Sequence, residues 1–201
     1  ETQKPKSRNI FYGWWIVIAG GLAMSISAGI NFHGFSNFII PLGKEFGWNR
    51  TIISLVFSLA RLAVGLLGPI EGFFVDRFGP RRLMMIGLPI MALGYVLMSK
   101  MGWLAGFFNI NPLLAFFIVF ILFITLGNGM GMSTPVTTAV ANWFNKKRGL
   151  AFGILWSGVG LGGFFVPAVG WLVDRFGWSD ATLIIGVALL FIALPIASVF
   201  R

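Results

Sequence analysis

The chain has 201 residues, of which 57% are hydrophobic and only 10% are charged, with a mean hydropathy of +0.89 and a net charge of +9. A soluble domain carries roughly a quarter charged residues, so this composition excludes a water-covered globular surface and indicates a protein surrounded largely by lipid. With no cysteine and a single histidine, the chain excludes disulfides, a thiolate zinc site and a three-histidine site, and we expect neither a metal nor a cofactor.

The apolar residues form long stretches separated by short polar loops. Spans are predicted at about 13–35, 51–75, 83–99, 113–142, 149–173 and 181–200. Each approaches the ~20 helical residues that a bilayer core requires, and none alternates like a barrel strand. The first stretch follows a basic tail at 1–12, as in a secretory signal, but it is too long for one, which favours a retained helix. The sequence therefore predicts an all-α membrane protein with six transmembrane helices.

Basic residues divide the loops into two sets. Ten Lys and Arg residues lie in the segments at 1–12, 76–82, 143–148 and 201, whereas four lie in the alternate loops. Because positive loops stay in the cytoplasm, both ends are predicted to be cytoplasmic, in a plasma (cell inner) membrane. The chain begins at Glu1 and stops directly after the sixth span, so we interpret it as a fragment of a longer polytopic protein. A natural half-size protein that pairs with another copy is the alternative.

The segment that ends the second span recurs at the end of the fifth. Residues 69–79 (PIEGFFVDRFG) and 167–177 (PAVGWLVDRFG) are identical at seven of eleven positions, at an offset of 98. Three spans separate the copies, so they end on opposite faces of the membrane, as in the 3+3 inverted repeats of secondary transporters. Chance recurrence is the alternative. Asp174 and Arg175 are then the candidate outer counterparts of Asp76 and Arg77.

The first copy opens a charged turn. Its sequence is Gly72-Phe-Phe-Val-Asp76-Arg77-Phe-Gly79-Pro-Arg81-Arg82. Gly72 lies one turn before Asp76, where a missing side chain would permit a neighbouring helix to approach closely. The helix dipole opposes the Asp76 carboxylate by roughly 0.3–1 kcal/mol, so Asp76 needs compensation from arginines or from another helix's N-terminus. The alternative is a basic cytoplasmic anchor without a gating role.

This turn is similar to the signature loop of the major facilitator superfamily, Gly-x-x-x-Asp-Arg-x-Gly-x-Arg-Arg/Lys, and it lies between the second and third spans, as in that family. The resemblance implies a twelve-helix fold, of which this chain would be the N-terminal six-helix half and the C-terminal half would be absent. It also implies that Asp76 helps to lock the two bundles when the central site faces outward. Tyr12-Gly13-Trp14 and residues 143–151 (WFNKKRGLA) resemble the monocarboxylate and oxalate/formate exchanger branch.

One arginine lies inside a predicted span. Arg61 falls near the middle of the second span, where a charge costs at least ~2.5–3.5 kcal/mol. One helical stripe, facing a predicted cavity, contains Ser54, Ser58, Arg61, Gly65 and Gly68. Paired guanidinium donors match a carboxylate, so Arg61 and Ser58 are candidate substrate-binding residues. A structural ion pair with Glu71, or a snorkelling side chain, is the alternative.

The outer part of the first span supplies three further candidate substrate-binding residues, Asn31, His33 and Asn37. In the monocarboxylate branch, a lysine in this neighbourhood takes part in proton and substrate binding, and this sequence has His33 there instead. An imidazole that titrates near neutrality could replace the lysine. A hydrogen-bonded structural histidine is the alternative.

The fourth span contributes Asn128 as a candidate substrate-binding residue. Its three threonines, Thr134, Thr137 and Thr138, are weaker candidates because hydroxyls often bond their own helix. In the fifth span, the glycines of residues 158–163 (GVGLGG) loosely fit a dinucleotide-binding pattern. That pattern requires a preceding strand, so we interpret these glycines as sites of close helix packing.

The sequence as a whole predicts a secondary active transporter of a small organic anion, a mono- or dicarboxylate, working by alternating access. A transporter of another small solute, and a non-transporting receptor or assembly protein on the same fold, are alternatives. An enzyme is not predicted, because the sequence shows no nucleophile–histidine–acid set, metal cluster or phosphate-binding loop. The expected partners are the solute, a coupling proton or counter-anion, the lipid bilayer and the missing six-helix half, but not nucleic acid.

Overall fold

The computed structural model describes residues 11–200, apart from the side chains of residues 193 and 194, and in this part of the chain it is helical without any strand. The helices are α1 (Tyr12–Phe46), α2 (Arg50–Phe78), α3 (Pro80–Ser99), α4 (Met101–Phe107), α5 (Pro112–Trp143), α6 (148–176) and α7 (178–199). Residues 1–10 of the predicted cytoplasmic tail, and Arg201, lie outside the described residues.

Five helical segments among the described residues are long and apolar enough to cross a membrane. The last of them, Arg148–Val199, has 52 residues and contains both α6 and α7. We number these helices separately because Gly177 between them has φ 80° and ψ 163°, which are not helical values. The first segment continues to Phe46, well past the predicted span end at 35.

Local sequence explains where several helices begin and end. The Asn49 side chain accepts a hydrogen bond from Ile52 N at 2.9 Å and caps α2, and Asn111 caps α5 in the same way. Proline stands at the first position of α3 and α5, where no backbone donor is lost. Gly79 ends α2 with φ 81° and ψ 156°, a conformation that residues with side chains rarely adopt.

Glycines allow α3 and α5 to cross in close contact. A Cβ atom at Gly127 would lie 2.5 Å from Met91 N, and one at Gly131 would lie 2.9 Å from Leu88 N. Gly87 on α3 in turn lies directly against the backbone of Gly131. Backbones this close leave no room for side chains, so the crossing depends on small residues, as is common between membrane helices.

Two of the glycines of residues 158–163 bring α6 against α1, which confirms the packing interpretation for Gly158 and Gly162. A Cβ atom at Gly158 would collide with the carbonyl oxygen of Gly21, and one at Gly162 would lie 2.8 Å from Gly29 N. Gly160 and Gly163 differ, because a Cβ atom at either would have no described neighbour within 4 Å.

Hydrogen bonds join distant parts of the chain at both ends of the bundle. The Tyr12 hydroxyl donates to Val199 O at 2.7 Å, which joins the start of α1 to the end of α7. At the other end, the Trp178 indole donates to the Glu45 carboxylate. Buried polar groups are stable when they have such partners, so these contacts fix the relative positions of α1 and α7.

α2 is the most loosely packed long helix. Its buried positions are Ile53, Val56, Ala60, Glu71 and Val75. The close approach expected at Gly72 is not seen, because no described atom lies within 4 Å of a Cβ built there. Gly72 therefore stays a predicted site of close approach, with open space beside it in the part of the chain that the structure describes.

The two types of glycine in α6 provide a test of this packing. We expect Gly158→Ala to lower the stability of the purified protein by about 1–3 kcal/mol, because the new methyl group overpacks a backbone contact. Gly160→Ala should be neutral or slightly stabilising, because alanine favours helix and the site is open. Thermal unfolding in detergent, followed by size-exclusion chromatography, measures both. Equal melting temperatures for the two variants would contradict the close approach at Gly158.

Candidate functional site

A cavity of about 400 Å³ lies between α1, α2, α5 and α6. Its polar lining residues are Ser27, Asn31, Arg61, Glu71, Thr125, Asn128, Ser133 and Thr134. Most of the remaining wall is apolar and includes Phe32, Phe57 and Phe120. A mostly apolar hollow with a few converging polar groups is the usual form of a small-molecule site.

Both central helices depart from α-helical geometry where they line this cavity. α1 contains a π-helical turn at Ala28–His33, and α5 contains two, at Val119–Thr125 and Gly129–Ser133. Such turns add a residue to the helical repeat, which reorients the side chains that follow and frequently marks a functional site. Asn31 and Asn128 lie in or between these turns. Sequence periodicity could not reveal these π-helical turns, because a periodic pattern assumes a regular helical repeat.

A hydrogen-bond network holds the two asparagines in place. The Tyr95 hydroxyl donates to Asn31 Oδ1 at 2.7 Å, and Asn31 Nδ2 donates to Ser27 O at 3.1 Å. The Ser27 hydroxyl in turn donates to Asn128 Oδ1 at 2.5 Å. Asn128 lines the cavity, where its carboxamide can both donate and accept hydrogen bonds. Asn31 has partners on both ends of its amide, so it also connects α1 to α3.

Arg61 lies in the cavity with its guanidinium group against two aromatic rings. The guanidinium carbon lies 3.8 Å from the ring centroid of Phe32 and 5.0 Å from that of Phe57. Cation–π attraction holds the flat face of the guanidinium, while its N–H edge stays available for a hydrogen-bond acceptor. The sequence did not single out the two phenylalanines, because their spacing is equally typical of residues that face lipid.

Glu71 also lines the cavity, and the sequence analysis did not treat it as a site residue. Only 3% of its surface is exposed. Its Oε2 accepts a hydrogen bond from the Thr134 hydroxyl at 2.6 Å, and its carboxylate lies against Gly129. The predicted alternative of an Arg61–Glu71 ion pair is not formed among the described residues. A charged residue inside a predicted span was the available signal, and it applied to Glu71 as much as to Arg61.

Other sequence candidates lie outside this cavity. Two residues of the predicted stripe, Arg61 and Gly68, line the cavity. The other three, Ser54, Ser58 and Gly65, do not, and Phe57, Val64 and Glu71 lie on the cavity face of α2 instead. Ser58 is exposed, and its hydroxyl donates to Ser54 O. His33 is exposed at the end of its π-helical turn and is not part of the cavity lining.

Asn37 belongs to a second hollow, at the far end of α6. Its amide nitrogen donates to Val166 O at 3.2 Å. Asp174 and Arg175 line the same hollow, and the Arg175 guanidinium carbon lies 5.5 Å from the ring centroid of Trp171. The structure therefore brings Asn37 together with the predicted outer motif rather than with Asn31 and Arg61.

The charged turn between α2 and α3 is exposed. Asp76, Arg77, Arg81 and Arg82 all present their side chains to the surroundings of the bundle. Gly79 reverses the chain through its positive φ angle, which explains why the motif has glycine there. Within the described residues, no group of three or more His, Cys, Asp or Glu side chains could hold a metal ion.

Comparison with known proteins agrees with this architecture. The model of the Major Facilitator Superfamily matches residues 12–201. The chain is 27% identical to bovine (Bos taurus) monocarboxylate transporter 13, over 87% of the chain and 38% of that protein. It is also 27% identical to the oxalate:formate antiporter of Oxalobacter formigenes, over 94% of the chain and 42% of that protein.

A third relative is named for a different solute. The riboflavin transporter RibJ of Trypanosoma brucei brucei is 30% identical over 90% of the chain and 31% of its own length. The chain therefore spans between 31% and 42% of the length of these three relatives. The family match and the long apolar helices indicate an integral membrane protein of a transporter family rather than an enzyme. This chain belongs to the Major Facilitator Superfamily.

Proposed function

We propose that the chain is the N-terminal six-helix bundle of a secondary active transporter that carries a small organic anion, a mono- or dicarboxylate, by alternating access. The observation that carries the proposal is Arg61, a cation in an apolar cavity whose described surroundings include aromatic rings but no carboxylate partner. The protein would act in the plasma (cell inner) membrane, with both ends of this segment in the cytoplasm, as the distribution of basic residues favours.

Six spans follow if α6 and α7 each cross the membrane. A continuous helix of 52 residues would be about 78 Å long, far more than the ~30 Å of a bilayer core. Gly177 breaks the helical dihedral angles between them, and the exposed residues Asp174 and Arg175 precede it. These charged residues and the break in the helix support a loop between α6 and α7 at the membrane surface.

Matching helix limits support the 3+3 inverted repeat. α2 runs from Arg50 to Phe78, and α6 begins at Arg148 and ends before Gly177, so both have the same length at the offset of 98 found in the sequence. Gly79 and Gly177 share φ angles of 81° and 80° and ψ angles of 156° and 163°. Equivalent breaks after equivalent helices are expected of related halves, and such halves can expose one central site to each side in turn.

The surroundings of Arg61 favour an anionic solute. Among residues 11–200, no carboxylate lies within 4.0 Å of its guanidinium group, so a substrate carboxylate would supply the missing partner. A bidentate pair in a low-dielectric cavity is geometrically specific and strong. Two relatives are named for carboxylates, which supports this class. The riboflavin transporter among the relatives makes an uncharged aromatic solute the second candidate, since Phe32 and Phe57 offer ring faces.

Replacing Arg61 tests the anion class. In proteoliposomes that contain the complete protein, we expect Arg61→Gln to reduce carboxylate uptake at subsaturating solute at least about tenfold, because charge-assisted hydrogen bonds are worth roughly 1.5–3 kcal/mol. Arg61→Lys should keep part of the activity, since it retains the charge but not the paired donors. Initial rates over a panel of mono-, di- and uncharged solutes measure the change.

Arg50→Gln is the matched control, because Arg50 begins the same helix but does not line the central cavity. It should transport at close to the wild-type rate. If Arg61→Gln moved carboxylates as well as the wild type, the anion assignment would fail. Selective uptake of riboflavin-like solutes by the wild type would favour the second candidate.

The exposed turn supports a gate. Asp76 lies in the last turn of α2, where the helix dipole opposes its charge, and no described residue forms an ion pair with it. A compensating partner on a second bundle would therefore stabilise the state in which the cytoplasmic side is closed. Asp174 would have a weaker counterpart role outside.

Accessibility measurements test this gate. With reporter cysteines introduced into the cavity at Val64, we expect Asp76→Asn to increase labelling from the cytoplasmic side, because the closed cytoplasmic side loses a stabilising contact. Asp174→Asn should cause a smaller shift in the opposite direction. Asp180→Asn, an exposed acid just beyond Gly177, is the control. An unchanged labelling pattern in Asp76→Asn would rule out the gate.

A further inference from the structure

The Glu71 carboxyl group is the most deeply buried charged group in the described residues, and neither the signature turn nor the anion site accounts for it. It lies on α2, in the same cavity as Arg61, but ten residues further along the helix. That separation corresponds to about 15 Å along the helix axis, so Glu71 does not take part in holding an anion at Arg61.

The structure provides the Glu71 carboxyl group with both a hydrogen-bond donor and the space that it needs. The Thr134 hydroxyl donates to Oε2 at 2.6 Å, from a helix on the other side of the cavity. Opposite the carboxyl group, α5 has Gly129, where any side chain would collide with the Glu71 oxygens. Gly129 begins one of the π-helical turns of α5, so both the missing side chain and the local geometry make room for the carboxyl group.

The charge around Glu71 is uncompensated in this bundle. Of the residues that line the cavity from α1, α2, α5 and α6, only Arg61 and Glu71 are titratable. No Lys, Arg or His among the described residues lies within 4.0 Å of the carboxyl group, and its side-chain hydrogen bond comes from the neutral Thr134 hydroxyl. A buried carboxyl group without a cationic partner is stable in a low-dielectric medium when it gains a proton or another small cation.

Charge balance then relates Glu71 to Arg61. When an anion binds at Arg61, the total charge of the cavity falls by one, and one proton on Glu71 restores it. Loading both together leaves the net charge of the cavity unchanged, which avoids the high cost of an extra charge inside a membrane. Two separate sites in one cavity, one cationic and one acidic, are therefore suited to anion–proton symport.

We propose that Glu71 is the proton-binding site of this cavity and that it couples uptake of the anion to uptake of one proton. The inference rests on the proposed function, because it assigns the coupling ion of the same cavity. A hydronium ion on the side to which the cavity opens supplies the proton, an O–H bond forms on the Glu71 carboxylate, and that bond breaks to water when the cavity opens to the other side. No other bond changes.

The decisive variant is Glu71→Gln in the complete protein, reconstituted in proteoliposomes. An inward proton gradient should stimulate carboxylate uptake by the wild type, and this stimulation should be lost in Glu71→Gln. Exchange of labelled for unlabelled solute at equal pH should persist, because the Arg61 site is intact. Thr134→Val should retain the stimulation but change its pH profile, because it removes the hydroxyl that donates to the carboxyl group. Asp180→Asn is the matched control and should behave as the wild type.

Infrared difference spectra between acid and alkaline pH provide a readout that does not depend on transport. We expect a C=O stretching band of a protonated carboxylic acid that is present in the wild type and Asp180→Asn but absent in Glu71→Gln. Persistence of that band in Glu71→Gln would overturn the proposal, as would full proton-driven uptake by the same variant. Loss of the proton response in His33→Gln instead would move the site to the exposed histidine.

Two further outcomes separate this inference from its premise and from another cation. Replacing sodium by choline should leave uptake unchanged, and a sodium dependence that disappears in Glu71→Gln would assign the site to a metal cation and overturn the proton proposal. If the wild type exchanges carboxylates without any proton response, the coupling inference fails while the proposed function stands. If the wild type moves no carboxylate, the proposed function fails. The infrared band then tests, without any transport measurement, whether Glu71 binds the proton.

Discussion

The lipid core of a bilayer offers no hydrogen-bond partners, so every backbone amide of this chain must be satisfied within its own helix. That constraint explains why the described residues are helical almost throughout. It also makes departures from regular helix informative, because each is tolerated only where the freed groups face protein or a cavity. The π-helical turns of α1 and α5 lie at the central cavity, and Gly177 breaks the chain beside exposed charged residues.

Close backbone contact is the second organising feature. Glycines at the α3–α5 and α1–α6 crossings replace large interlocking side chains, because lipid tails are as apolar as leucine and supply little drive for helices to associate. The hydrogen bonds from Tyr95 to Asn31, and from Ser27 to Asn128, then keep the polar lining of the cavity in one arrangement.

α2 contains both charged groups of the central cavity and the signature turn. Its buried stripe places Arg61 and Glu71 in one cavity, and its end carries the signature turn. Most of the surface of α2 is exposed in the described residues, whereas the crossing helices α3 and α5 bury much more of theirs.

The sequence alone determined the membrane environment, the helical class, the family and the glycine packing of α6, because composition, span length and short motifs depend on neighbouring residues in the chain. It also located Arg61, since a charge inside an apolar span is visible in one dimension. It placed only part of the cavity face of α2, and it missed the partners of Asn31 and the burial of Glu71. A π-helical turn alters the helical repeat around Asn31, whereas the cavity face of the regular helix α2 depends on which helix lies opposite, as the Thr134–Glu71 contact shows. Only the tertiary structure could decide which polar residues face one another, because helical periodicity gives the face of a residue but not the identity of the helix opposite.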